Sequence, residues 1–333
     1  VKVLLDCPVP FSLAHGGAQI QIEQTRAALA TIGVEVDYLR WWDDTQRADV
    51  IHHFGRLAPA LIKLAQQKGT RVVISELLTA QGSRGPAEFA VRQTAMNVLD
   101  ALSGGRLGSR LGWDSYRQAD ACVALTPWEA QLMRRMFHAP AERVHVVPNG
   151  VEEIFFQAPL ATRGPWLVCT ATITERKRVV ELTSAAIAAR TPLWIIGKPY
   201  AETDPYYRRF LDLVRQAPET IRFDGPISDR AALARIYREA RGFVLLSTME
   251  SLSLSALEAA ACECPLLLSD LPWARTTFAD SASYCPATAS MGATAGAVRA
   301  FHDAAPRLPP PPKPLTWIDV ARQLRTIYEA ICA

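Results

Sequence analysis

Residues 242–270, "GFVLLSTMESLSLSALEAAACECPLLLSD", decide the fold. "GFVLLS" is a short apolar run followed by a polar loop, as a buried strand would be. Serine and leucine then alternate from Ser251 to Ser255, which imitates a strand, but Ala256 to Ala261 consists almost wholly of strong helix formers. A helix starting near Ser253, with Ser253 or Ser255 as its N-cap, resolves the conflict. "CPLLLSD" returns as a second apolar run. Strand, helix, strand in that order is the repeating unit of a parallel sheet wrapped by helices.

The same unit recurs outward from this stretch. "PWLVCTATI" (165–173), "PLWIIG" (192–197) and "IRFDG" (221–225) precede it, and "DRAALARIYREA" opens on an acid suited to a helix's positive end. Nearer the start stand "VKVLL" (1–5), "VEVDYL" (34–39), "DVIHHF" (49–54), "RVVISE" (71–76) and "ACVALT" (121–126), and "RVHVVPNG" closes that set. Between the first two lies "AQIQIEQTRAALATIG", with Ile20, Ala27 and Ile32 at helical spacing. Two α/β units in tandem predict a cleft between domains, with strand carboxyl ends as binding edges. The expected boundaries are 1–157 and 158–314, with a linker over 155–164. "APRLPPPPKP" (305–314) reads as a stiff extended connector rather than helix. The amphipathic helix that follows, within 315–333, carries Trp317, Ile318, Leu324, Ile327 and Tyr328 on its apolar side, and the strap before it suggests that it packs away from its predecessor.

Composition removes several functions. A net charge of +3 over 333 residues, with no basic arm and no zinc spacing, disfavours nucleic acid. Seven cysteines without framework spacing read as reduced core thiols, and Cys262-x-Cys264 lacks the second pair a metal site needs. No metal and no cofactor are expected. "VKVLLDCPVP" reads as a strand rather than a secretion signal, and no apolar run approaches the ~20 residues that cross a bilayer. A cytoplasmic protein is expected, with at most peripheral contact at the inner membrane face.

The chemistry concentrates around Glu250 and Glu258. Free amides at the start of the Ser253 helix suit an anion, phosphate above all. Glu250 would project beside it from the loop, and Glu258, about one turn inside, could accept from two adjacent ribose hydroxyls. Two carboxylates flanking an anion site suit a sugar nucleotide. Taken alone, the pair reads better as a solvated helix face with a cap-region acid.

Glu250-x7-Glu258 followed by "AAACECP" resembles the signature of retaining glycosyltransferases of the family-4 type, the glycosyl transferases group 1. "HGGAQ" (15–19) resembles their glycine loop, residues 119–156 the run that ends their N-terminal domain in a Pro-Asn-Gly-Val turn, and residues 221–270 their carboxyl-domain pattern. The resemblance implies the GT-B fold: two Rossmann-like domains whose parallel sheets face across a cleft, with the last helix returning to the N-terminal domain. It implies sugar transfer, from a UDP- or GDP-sugar by preference, to a hydroxyl acceptor that is a glycan, a lipid-linked group or a small molecule. A hexosyl donor is favoured.

By that resemblance Glu250 and Lys177 are the catalytic candidates. Gly16, Gly17, Asn149, Gly150, Thr172, Arg176, Lys177, Ser251, Leu252, Ser253, Leu254 and Glu258 would surround the donor, with Lys177 on the diphosphate and Glu258 on the ribose. Three departures stand out. Ala171 and Thr172 occupy the place of a family arginine, which Arg176 or Arg178 would have to replace. Glu76 stands where an acceptor-side histidine is usual, and Glu263 where a small glycine is usual.

Blander readings accompany several features. "TERKR" around Lys177 matches a solvated turn, and "HGG" lacks the third glycine of a dinucleotide fingerprint. His52 and His53 fit buried or capping histidines better than acceptor contacts. Trp41 and Trp42 could stack a sugar ring, though tandem tryptophans more often plug a sheet edge. Residues 103–118 place Arg106, Arg110 and Arg117 near one face, suited to a membrane or an anionic acceptor. A mobile acceptor-side loop fits as well, and a solvated segment better still. Two rival functions share the architecture: a nucleotide-sugar epimerase, and a non-catalytic sugar-nucleotide-binding module.

Overall fold

A computed structural model describes residues 1–8, 10–11, 16–104, 106–159 and 161–333. His15 of the glycine loop, Gly105 of the basic segment and Leu160 of the expected linker lie outside the described residues. The chain divides into Val1–Gly150 with Leu315–Ala333, and Val151–Pro314.

The first unit is a six-stranded parallel sheet. Its strands are β1 (Lys2–Asp6), β2 (Glu35–Tyr38), β3 (Val50–His53), β4 (Arg71–Ile74), β5 (Ala121–Ala124) and β6 (Val144–Val146), in the order β2-β1-β3-β4-β5-β6. β5 and all but the first residue of β4 are apolar because helices cover both faces: Val72, Val73, Ile74, Ala121 and Cys122 are fully buried, while β3 carries the buried His52 and His53. The Trp317–Cys332 helix belongs to this unit. Thr316 and Asp319 close a capping box at its start, and Trp317, Val320, Ala321, Leu324, Ile327 and Tyr328 are buried. Tyr328 Oη lies 2.7 Å from His52 Nδ1, and Ser75 Oγ lies 2.6 Å from His52 Nε2. Burial, reinforced by the charge of His53, pushes His52 down to about 3, so the ring stays neutral.

The second unit repeats the plan with β7 (Leu167–Thr170), β8 (Leu193–Ile196), β9 (Ile221–Phe223), β10 (Gly242–Leu245), β11 (Leu266–Ser269) and β12 (Ser283–Cys285), in the order β12-β11-β10-β7-β8-β9. The three-residue β12 pairs in parallel with β11 and was not anticipated, being too short to show a period.

Several expectations need correction. The unit boundary falls at Gly150–Val151, not after 157. Glu153–Gln157 is a helix rather than linker, and Phe155 is fully buried in the second unit against Tyr237 and under the Arg230 guanidinium. The strap opens with a 3-10 turn at Ala305–Arg307 before it extends. Residues 106–118 form two short helices separated by Gly112 in a left-handed conformation (φ 74°), with Trp113 and Tyr116 buried. The second helix is anchored rather than solvated, whereas the first is largely exposed, as the solvated reading held. Arg106 and Arg110 are exposed, but Arg117 is held by Asp100 and Asp114, so the three do not make one free basic face. Trp41 and Trp42 plug nothing: they are 73% and 83% exposed. Five of the seven cysteines are buried, Cys7 is partly so, and Cys332 is exposed.

Candidate active site

Neighbouring strands bring the chemistry of the second unit together. β7 and β10 are adjacent, so the loops after their carboxyl ends meet, and Thr248 donates its N–H to Arg176 O at 2.8 Å. The loop after β7 tightens into a 3-10 turn at Glu175–Lys177 and ends with Arg178 in a left-handed conformation (φ 52°). This turn aims Lys177 at Glu250: Lys177 Nζ donates to Glu250 Oε1, and Arg176 Nη1 reaches the same oxygen at 3.1 Å and Met249 O at 2.7 Å.

Glu250 is buried, 7% exposed. Burial alone would raise its pKa, but the charges of Lys177 and Arg176 prevail and hold it below the ordinary carboxylate value. Arg176 therefore joins the acid in the region where the expected arginine is missing, whereas Arg178 turns away to the carbonyl of Ala287. Ala171 itself is buried, and its carbonyl would lie 1.9 Å from a Cβ at Gly197, so residue 197 has to be glycine for the loop after β7 to pass.

Beside Glu250 begins the Leu254–Ala261 helix. Ser253 caps it, accepting from Ala256 N at 3.4 Å. Among the described residues no acceptor takes the N–H groups of Leu254 and Ser255. Positive partial charge is thus left at this end. Ser251, Leu252, Ser253 and Leu254 are all buried around it.

Glu258 is also buried, 5% exposed, so neither acid is a solvated surface group. It already has protein partners, one on each oxygen. Arg230 Nη2 donates to Glu258 Oε1, while Arg230 Nε donates to Glu152 Oε2 at 2.8 Å. Tyr237 Oη donates to Glu258 Oε2 at 3.4 Å. Burial raises the Glu258 pKa, and the Arg230 charge offsets only part of the rise. Arg230 escaped the sequence reading because it lay inside an ordinary amphipathic helix, with no local mark of its partner.

The remaining candidates are distributed between the units. In the second, Thr172 is half-buried two residues beyond β7. In the first, Gly16 N-caps the Gly17–Thr31 helix with φ 142°, a conformation glycine tolerates, and Gly17 is exposed. Asn149 is buried. Gly150 is buried, and a Cβ there would lie 2.6 Å from Trp317 N and 2.7 Å from Trp317 Cα, so a glycine at this position admits the returning helix. His52 and His53 are buried as the blander reading held, and Glu76 pairs with Arg56 at 2.8 Å. Among the described residues, no cluster of three or more His, Cys, Asp or Glu side chains could hold a metal. Burial pushes the Cys262 and Cys264 thiols up to about 12.

Glu263 has a conformational consequence. Cys264 N donates to Ala259 O and Glu263 N to Ala260 O, both at 2.9 Å, which is the Schellman pattern that ends a helix. Glu263 itself occupies the left-handed position (φ 57°) that favours glycine.

Comparisons with known proteins bear on the two units rather than on single residues of the site. Residues 6–150 match a family model described as "Glycosyl transferase 4-like domain", and residues 164–304 one described as "Glycosyl transferases group 1". The chain is 30% identical over 192 residues to a D-inositol 3-phosphate glycosyltransferase of Jonesia denitrificans, a match that takes in 50% of this chain and 44% of that protein's length. Sucrose-phosphate synthase from Thermosynechococcus elongatus superposes with a TM-score of 0.69 at 18% identity, covering 99% of both chains. HepE of Anabaena in complex with UDP gives 0.68 at 12% identity over 99% of this chain and 100% of that one. A glycosyltransferase from Rickettsia africae gives 0.64 at 13% identity over 99% and 98%. Two Rossmann-like units of the GT-B kind, matched by one glycosyltransferase domain each, place the chain in the group 1 glycosyltransferase family.

Proposed function

We propose that the chain transfers a sugar from a nucleotide diphosphate sugar to a hydroxyl acceptor, with retention at the anomeric carbon. The carrying observation is the convergence of Lys177 and Arg176 on Glu250 beside the open amides that start the Leu254–Ala261 helix. Two cations and oriented N–H groups suit a diphosphate, whose charge grows as the anomeric C–O bond breaks. When the donor arrives, Lys177 exchanges the Glu250 carboxylate for phosphate oxygens, and Glu250 is released toward the sugar hydroxyls. Glu258, held by Arg230, takes the ribose. The acceptor oxygen bonds to the anomeric carbon on the face that the phosphate leaves, and its proton passes to a phosphate oxygen, so no separate base is required. Gly16 and Gly17 would let backbone approach the phosphates. UDP- and GDP-sugars are the favoured donors, and UDP, present in the HepE complex, is the first to test.

The test couples nucleotide binding to turnover. Titration calorimetry with UDP, GDP and ADP, followed by transfer assays with the matching sugar nucleotides, identifies the donor. In Glu250→Gln, transfer should fall at least 100-fold, a loss of about 3 kcal/mol of transition-state stabilisation, while nucleotide affinity changes by less than about threefold. Wild-type turnover in that variant, or no nucleotide binding in the parent, overturns the proposal.

A further inference from the structure

The first unit exposes two indoles that the proposed chemistry of the second does not use. Trp41 and Trp42 follow β2 and are 73% and 83% exposed, an uncommon state for two adjacent tryptophans. Their backbone is braced. Trp41 Nε1 donates to Asp6 Oδ1 at 3.1 Å, and Asp6 is buried at the carboxyl end of β1, with His53 Nδ1 2.7 Å from its other oxygen. Arg40 donates from Nε and Nη2 to Asp43 Oδ2 at 3.0 and 2.8 Å, and from Nη1 to Asp37 Oδ2 at 2.8 Å. Arg40 N also donates to Gln46 Oε1 at 2.7 Å, while Gln46 Nε2 donates to Tyr38 O at 3.0 Å, closing the loop on itself. The indoles are thus presented on a fixed scaffold at the carboxyl edge of a parallel sheet, where ligands of such sheets bind.

We propose that Trp41 and Trp42 form a saccharide platform, and that the acceptor's sugar ring stacks there. The word acceptor rests on the glycosyltransferase reading; the saccharide chemistry rests on the site. A sugar ring has an apolar C–H face rimmed by hydroxyls. Indole faces meet the first, and the guanidinium N–H groups of Arg40 that Asp37 and Asp43 do not take can donate to the second. "LRWWDDTQR" (39–47) surrounds the rings with Arg40, Asp43, Asp44 and Arg47. Those charges balance, two against two, so nothing draws the segment to anionic lipid.

The chain has eight tryptophans, so its indole N–H resonances form a small set in which Trp41→Phe and Trp42→Phe assign the two signals. The full-length chain is titrated with methyl glycosides of glucose, galactose, mannose and N-acetylglucosamine, and separately with phosphatidylglycerol vesicles. At least one glycoside should shift both signals saturably. Trp41→Ala and Trp42→Ala should each weaken that binding at least tenfold, Trp42→Ala with an unchanged melting temperature, whereas Trp41→Ala also gives up the bond to Asp6. The proposal is overturned if no glycoside moves the two signals, if vesicles alone broaden them, or if they shift with protein concentration alone, as self-association would. UDP binding is measured in the same samples. UDP binding without a glycoside response defeats the platform and spares the transferase reading; the reverse result spares the platform.

Discussion

Arg230 and Glu258 form an ion pair inside the second unit, and Glu152 completes it from the other side of the guanidinium. Glu258 is nearly inaccessible, whereas the arginine side chain is 31% exposed. Such a bridge matters less for its attraction than for what its loss would leave: a carboxylate in low dielectric without a counter-charge.

Arg230→Ala should therefore lower unfolding free energy by about 3 kcal/mol, the low end for breaking a buried pair because Arg230 is partly exposed. Adding Glu258→Gln should restore most of the loss. Urea unfolding of the two single variants and the double variant measures this; additive losses would show that the two residues are not coupled.

His52 gives the stability a pH slope of known sign. Its folded pKa is depressed from 6.5 to about 3, so between those values the unfolded chain binds the extra proton. Stability is full above 6.5 and falls as pH drops through that window, by about 1.4 kcal/mol per unit from this group. Relative to His52→Gln, the wild type should lose stability as buffer pH is lowered from 7 to 4. A constant difference across chemical denaturation curves at those pH values would contradict the neutral buried ring.

Gly150→Ala should disturb the returning helix. The added Cβ meets backbone atoms of Thr316 and Trp317 within 2.8 Å, and backbone cannot swing aside as a side chain would. A loss of about 3 kcal/mol is expected, at the upper end for overpacking. Amide exchange should accelerate across residues 317–332 and less elsewhere. Wild-type protection there would mean that the strap relaxes freely.

Glu263→Gly sets two effects against each other. Glycine relieves a left-handed residue, worth about 1 kcal/mol. It also removes the carboxylate 3.3 Å from the Arg238 guanidinium, which is 6% exposed. Loss of a buried cation's partner costs about 3 kcal/mol or more, tempered here because the Glu263 side chain is 33% exposed. The net expectation is destabilisation by about 1–2 kcal/mol, read as a lower urea midpoint. A rise in midpoint would show that backbone strain outweighs the ion pair.

Much of the fold was visible in local patterns. The apolar runs at 2–6, 71–74, 167–170 and 242–245 became strands because burial on both sheet faces demands uninterrupted apolar residues. The cap at Ser253 followed from the same stretch, whereas the burial of Glu250 and Glu258 did not, because taken alone the pair reads as a solvated helix face. The Glu153–Gln157 helix was missed because Phe155 has a reason to be buried only once Tyr237 and Arg230 are beside it. β12 was missed because three residues carry no period.

Sequence alone determined two parallel α/β units, the placement of a capped helix after Glu250, and the type of residue at each position of the candidate site. Only tertiary structure decided the pairings: Lys177 and Arg176 with Glu250, Arg230 with Glu258, and Gly150 against Trp317. The reason lies in range. Periodicity, capping and turn chemistry act over a few residues and are written where they operate. The partner of a buried charge is fixed by strand order, which brings distant segments together and leaves no mark beside either residue.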